Sequence, residues 1–249
     1  MMNHKIILTA GAGALLCTLS TSALAAIALD RTRVVVEGGE KSVSLSVSNE
    51  NKQLPYLAQG WIEDEQGRKI THPMTVLPPV QRIEPGARSQ VRIQTLPDIG
   101  TLPQDRESLY YFNLREIPPR STKPNTLQLA LQTRIKLFFR PKALIPAKSD
   151  TPWQERVTLT RSGERWLVNN PTPYYVTLVD GSTRPGGQPV KGFKPLMLAP
   201  REQHAALSVN AAALGNSPVL TYINDYGGRP QLKFTCSGNA CTASPVRSR

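Results

Sequence analysis

Histidine, cysteine and acidic side chains are all scarce in this 249-residue chain, with three histidines, three cysteines and 18 acids against 30 lysines and arginines. Beyond residue 25 only His72 and His204 remain, and neither neighbours a nucleophile or a run of metal ligands. There is no Gly-x-Ser-x-Gly elbow and no Gly-rich phosphate loop. No stretch carries a convincing amphipathic helical period. These gaps leave no expected cofactor or metal site. A paired-carboxylate hydrolase is not removed by them, because such pairs need not be local, and Asp105 and Glu107 do lie close together.

The longest apolar run sits at the start. MMNHK supplies a short basic stretch, IILTAGAGALLCTL the apolar one, and Ala23-Leu24-Ala25 the small-x-small cleavage pattern of a secretory leader. The run is too short and too Gly-rich for a comfortable membrane span. Cys17 follows Leu16, which is larger than the residue a lipoprotein signal carries there, so it reads as a passive part of the leader. Residues 1–25 are therefore expected to be removed from a soluble, exported chain.

Removal takes away one lysine and no acid, so the formal charge of +12 becomes +11. The basic residues are scattered and no reader motif accompanies them, so nucleic acid is not expected as a partner. Cys236 and Cys241 survive as an even pair in an exported protein, which reads most simply as a disulfide closing a small turn between two late strands.

What is present is short apolar alternation broken by turn formers. TRVVVEGGEKSVSLSVSNENKQLPYLAQGWIE offers three strands, and others fall around Val76, at Ser89 to Thr95 and at Ser108 to Ile117. The most regular stretch is LQLALQTRIKLFFRP. From Leu127 to Phe139 every odd position is apolar except Thr133, while the even positions hold Gln128, Ala130, Gln132, Arg134, Lys136, Phe138 and Arg140. Such a pattern predicts one strand of about fourteen residues, where about five or six is typical. A second set of about seven strands follows Trp153, ending at QLKFTC. PKALIPAKSDTP is the connector, joining the two halves near residues 141–151. The fold class is all-β, two sandwich domains covering residues 26–146 and 147–249.

Taken together, LDRTRVVVEGGEKSVSLSVSN, NKQLPYLAQGWIE, PPVQRIEPGARS, LPQDRESLYYFNLREIPPRS, LALQTRIKLFFRP, NPTPYYVT and YINDYGGRP resemble the periplasmic chaperones of the chaperone–usher pilus pathway. The likeness implies two immunoglobulin-like domains set as a boomerang around a cleft. It implies a function too: binding pilus subunits and the tip adhesin by donating a strand, then passing them to the outer-membrane usher. Leu127, Leu129 and Leu131 would fill the subunit's groove. Arg33 and Lys136 would anchor its terminal carboxylate, and Glu107, Arg140 and Asp225 would form an interdomain salt bridge. The short, cysteine-free link before Leu127 resembles the branch serving rod-like pili, and Asp180 to Lys194 looks like a variable loop. Free molecules are expected to cap one another as a homodimer through the same leucines.

Two other readings use the same residues. A periplasmic glycan-directed enzyme would draw on Tyr174, Tyr175 and the Tyr222 to Arg229 cluster, whose blander role is core packing and a tight turn; it lacks a catalytic constellation. A pilus subunit or adhesin would need a donor extension ahead of its first strand and would not carry the full strand at Leu127.

Overall fold

The computed structural model describes residues 25–247. The leader read at residues 1–25, with Cys17, lies outside them apart from Ala25. Ten strands come first: β1 (Ile27–Leu29), β2 (Arg33–Glu37), β3 (Ser42–Asn49), β4 (Tyr56–Glu63), β5 (Lys69–Ile70), β6 (Met74–Leu77), β7 (Val80–Ile83), β8 (Arg88–Thr95), β9 (Ser108–Ile117) and β10 (Gln132–Arg140). They make two sheets, ordered β1-β3-β8-β6 and β2-β10-β9-β4-β5, with β7 pairing β4. Among the described residues only β2 and β10 pair in parallel.

Alternation explains the packing. In β3, Ser-Val-Ser-Leu-Ser-Val-Ser sends Leu45 and Val47 into the core and leaves Ser44 and Ser46 in solvent. Val34, Val36, Ile62, Ile93, Phe112, Leu137 and Phe139 meet them from both sheets. At Gly60 a Cβ would lie 2.9 Å from Val76 Cγ1, so glycine lets β4 approach β6 of the facing sheet.

The second domain holds β11 (Thr158–Ser162), β12 (Arg165–Asn169), β13 (Val176–Ser182), β14 (Leu196–Leu198), β15 (Ala205–Asn210), the short helix α1 (Ala211–Leu214), β16 (Val219–Tyr222), β17 (Gln231–Ser237) and β18 (Ala240–Pro245). Its strands hydrogen-bond as one ladder, β14-β13-β16-β17-β18-β11-β12-β15. Trp166, Leu178, Leu198 and Phe234 share one core, so the ladder folds over on itself as a sandwich. Cys236 and Cys241 are bonded across paired positions of β17 and β18.

Four strands escaped the pattern reading. β1, β5 and β7 are two to four residues long, too short to show a period, and β18 is mostly small and polar. The largest difference concerns the strand expected from Leu127, since β10 pairs only from Gln132 onward. Its neighbour β9 ends at Ile117 because Pro118 and Pro119 follow, and proline carries no N–H for a ladder. On the other side β2 begins only at Arg33, opposite Lys136. Among the described residues Leu127 to Ala130 thus pairs with no strand on either side, and the last backbone bond of the ladder is Glu116 N donating to Leu131 O at 3.0 Å.

Candidate functional site

The side chains of Lys136, Phe138 and Arg140, at even positions of β10, face the second domain. Phe138 packs against Tyr175 with ring centroids 5.6 Å apart, and Lys136 Nζ donates to Thr177 Oγ1 at 3.1 Å. Arg33 stands beside Lys136, since the parallel register of β2 and β10 makes the two residues direct partners. Its Nη1 donates to the Ile223 carbonyl at 3.3 Å, and its buried Nε has no partner.

Among the described residues neither cation forms an ion pair. Burial pushes the Lys136 ammonium down to about 8, and repulsion from Arg33 adds to the effect. Burial also lowers the Arg33 guanidinium, against the pull of Asp225 and Glu107. A hydroxyl and a carbonyl are weak company for two adjacent charges. The spare donors of an arginine fork beside a lysine suit a carboxylate.

A second cluster binds the domains together. Arg140, at the end of β10, places Nε and Nη2 on Glu107 Oε1 at 2.8 and 2.7 Å and Nη1 on Asp225 Oδ2 at 2.7 Å. Glu107 Oε2 accepts from Tyr175 N at 2.8 Å. Burial pushes the Glu107 carboxyl up, opposed by Arg140 and the Tyr175 N–H. Burial works against the Arg140 charge, but its bonds to Asp225 and the field of Glu107 hold the guanidinium above its ordinary value. The guanidinium also lies 4.7 Å from the Trp153 ring and 5.3 Å from that of Tyr174, two rings stacked at 4.4 Å.

Further contacts support the seam. Asn170, fully buried, donates to the carbonyls of Tyr174 and Ala199 at 2.8 Å each and so fixes the loop carrying Tyr174. Arg201 Nη1 reaches Asp105 Oδ2 at 2.7 Å on the surface. Gly227, at φ +81°, lies so near Thr32 that a Cβ would come within 2.7 Å of its Oγ1.

The three leucines lie apart from both clusters. Leu127, Leu129 and Leu131 are 83%, 67% and 43% exposed, on the segment that β2 does not flank and β9 meets only at Leu131. In sequence they share the odd positions of the buried Ile135, Leu137 and Phe139. An apolar edge without charge or proline is normally a hazard that proteins blunt. Pattern reading did not single out Thr177, Trp153 or the Ile223 carbonyl. Tyr174 and Tyr175 belong to the domain seam. Among the described residues, no group of three or more His, Cys, Asp or Glu side chains could hold a metal ion.

Comparison with known proteins follows the same division. A family model described as "Pili and flagellar-assembly chaperone, PapD N-terminal domain" matches residues 26–145, and "Pili assembly chaperone PapD, C-terminal domain" matches 152–234. The chain is 55% identical over 222 residues to Chaperone protein PapD of Escherichia coli, covering 88% of this chain and 90% of that one. It is 54% identical over 235 residues to the Probable fimbrial chaperone YfcS of Escherichia coli K12, covering 94% and 92%. Among solved structures it resembles the Salmonella enterica SafB chaperone in complex with the SafA pilin, at a TM-score of 0.66 and 29% identity, covering 84% of this chain and 94% of that one.

Proposed function

The chain belongs to the PapD family of pilus-assembly chaperones, and from that premise we propose that it holds pilus subunits by inserting Leu127 to Leu131 into them. One observation carries this reading: three exposed leucines lie on a segment that β2 does not flank and β9 meets only at Leu131, in line with two cations that form no ion pair among the described residues.

The geometry supports a direction for each strand that binds. A subunit strand in the lane of β2 runs on toward Arg33 and Lys136. Two cations select a carboxylate there, so this strand ends in its C-terminus and runs parallel to β10, as β2 does. A strand in the lane of β9 runs antiparallel, as β9 does. Between them the leucines complete a sandwich that lacks one strand, and the chaperone's own core passes into that of the subunit. Each leucine buried contributes about 1.5–3 kcal/mol, less the cost of ordering the partner. The carboxylate sets register, since a slip of one residue turns every leucine to the wrong face.

Glu107, Arg140 and Asp225 hold the angle between the domains, whose boundary we place between residues 146 and 147. The secretory leader and the Cys236–Cys241 bond support an oxidising, periplasmic setting. There the chaperone, with no catalytic activity of its own, carries subunits and the tip adhesin to the outer-membrane usher. When free, it caps its leucines with a second copy.

Co-expression with a pilus subunit tests this. Leu129→Glu should leave a folded chaperone by circular dichroism yet reduce recovery of the subunit complex from the periplasm at least tenfold. Equal recovery rules out the inserted segment.

A further inference from the structure

Glu116 is buried, at 6% exposure, yet among the described residues it forms no ion pair. Among the described residues its side chain makes one hydrogen bond, Oε2 accepting from Ile27 N at 2.8 Å. A buried carboxylate with one neutral donor is poorly compensated. Its backbone sits at the root of the exposed leucines, because Glu116 N bonds Leu131 O. Its side chain crosses to the start of β1 in the other sheet.

Ala26 lies at that crossing. It is 9% exposed, and its carbonyl accepts from Glu50 N at 2.7 Å, so its position is set. Its nitrogen is one residue from the nitrogen that Glu116 already holds, roughly 3 Å away by covalent geometry. The cleavage pattern Ala23-Leu24-Ala25 independently puts the scissile bond at this nitrogen.

We propose that Glu116 is the receptor for the α-ammonium of Ala26, created when a processing protease cuts between Ala25 and Ala26. Water adds across the peptide bond. Ala25 leaves with the carboxylate, and the Ala26 nitrogen keeps its hydrogen, gains one from water and takes a further proton from solvent. A neutral amide thereby becomes a cation beside a buried anion. The pair ties β1 to the end of β9, beneath the point where Leu127 to Leu131 leaves the sheet. Processing thus completes the first domain, whether or not that segment enters a subunit.

The test uses exported, processed full chain. Mass spectrometry should find Ala26 first. A version extended by one glycine at the N-terminus should melt about 2–6 °C lower, and in the Glu116→Gln background the same extension should change nothing. A different first residue, no shift, or an equal shift in both backgrounds overturns the proposal. If Glu116→Gln does not fold, the processed natural chain decides. Its α-amine should be acylated at least tenfold more slowly than an exposed amine, and a comparable rate overturns the assignment.

Discussion

Lys136 and Arg33 are direct neighbours on parallel strands, two cations side by side with, among the described residues, only the Thr177 hydroxyl and the Ile223 carbonyl to receive their hydrogens. The arrangement is unfavourable in the free protein and becomes favourable when a carboxylate enters. Binding and stability should therefore respond to mutation with opposite signs.

Lys136→Ala removes one charge-assisted donor, worth about 1.5–3 kcal/mol, so affinity for a peptide matching a subunit's C-terminal strand should fall roughly 10- to 100-fold. Repulsion of Arg33 also disappears, so the melting temperature of the free protein should stay level or rise. Calorimetric titration and thermal melts check the two halves. A drop in both would make Lys136 a structural lysine.

The pH dependence follows from the same site. In the free protein the ammonium loses its proton near 8, well below an ordinary lysine. Between about 8 and the ordinary value the folded state binds fewer protons than the unfolded state, so the cost of Lys136 to stability is full below pH 8 and fades as pH rises. A bound carboxylate favours the ammonium. Peptide affinity should therefore be flat up to about pH 8 and then fall, by at most tenfold per pH unit. Titrations from pH 6.5 to 9.5 check this, and the fall should vanish in Lys136→Ala.

At the seam, Arg140→Ala strands Glu107, whose side chain is only 2% exposed. Breaking such a pair from one side costs about 3–5 kcal/mol. Asp225→Asn should cost less, because the Asp225 side chain is 26% exposed and Arg140 keeps Glu107. Denaturant titration should rank the two variants in that order. Small-angle scattering should show a wider spread of domain angles for Arg140→Ala alone.

Some of this was legible in the sequence and some was not. The end of β9 at Ile117 follows directly from the two prolines behind it. Alternation from Leu127 to Phe139 rightly gives Ile135, Leu137 and Phe139 to the core, yet it does not say where pairing stops. Pairing belongs to the neighbours, and those neighbours end at Ile117 and begin at Arg33. Arg33, Lys136, Glu107, Arg140 and Asp225 stand out only through family likeness, since as isolated charges they look like ordinary surface. Thr177 is one more small residue in a strand, and the Ile223 carbonyl has no side-chain signature at all. Only the meeting of two domains gives either of them a role.

The empty lane beside Leu127 to Leu131 supplies the last prediction. Pro118 and Pro119 end β9 and keep it from pairing with the leucine segment. Replacing both with Thr and Val, good strand formers, should let β9 extend and form about two more backbone bonds with that segment. The free chaperone should then be more stable and less prone to self-association, since one edge is covered. Subunit capture should fall, because the antiparallel lane is occupied before a subunit arrives. Hydrogen exchange at Leu127 to Leu131 should slow in the double variant, and periplasmic pull-down should recover less subunit. If exchange slows while recovery is unchanged, the subunit needs only the lane beside β2, and the two-sided insertion is wrong.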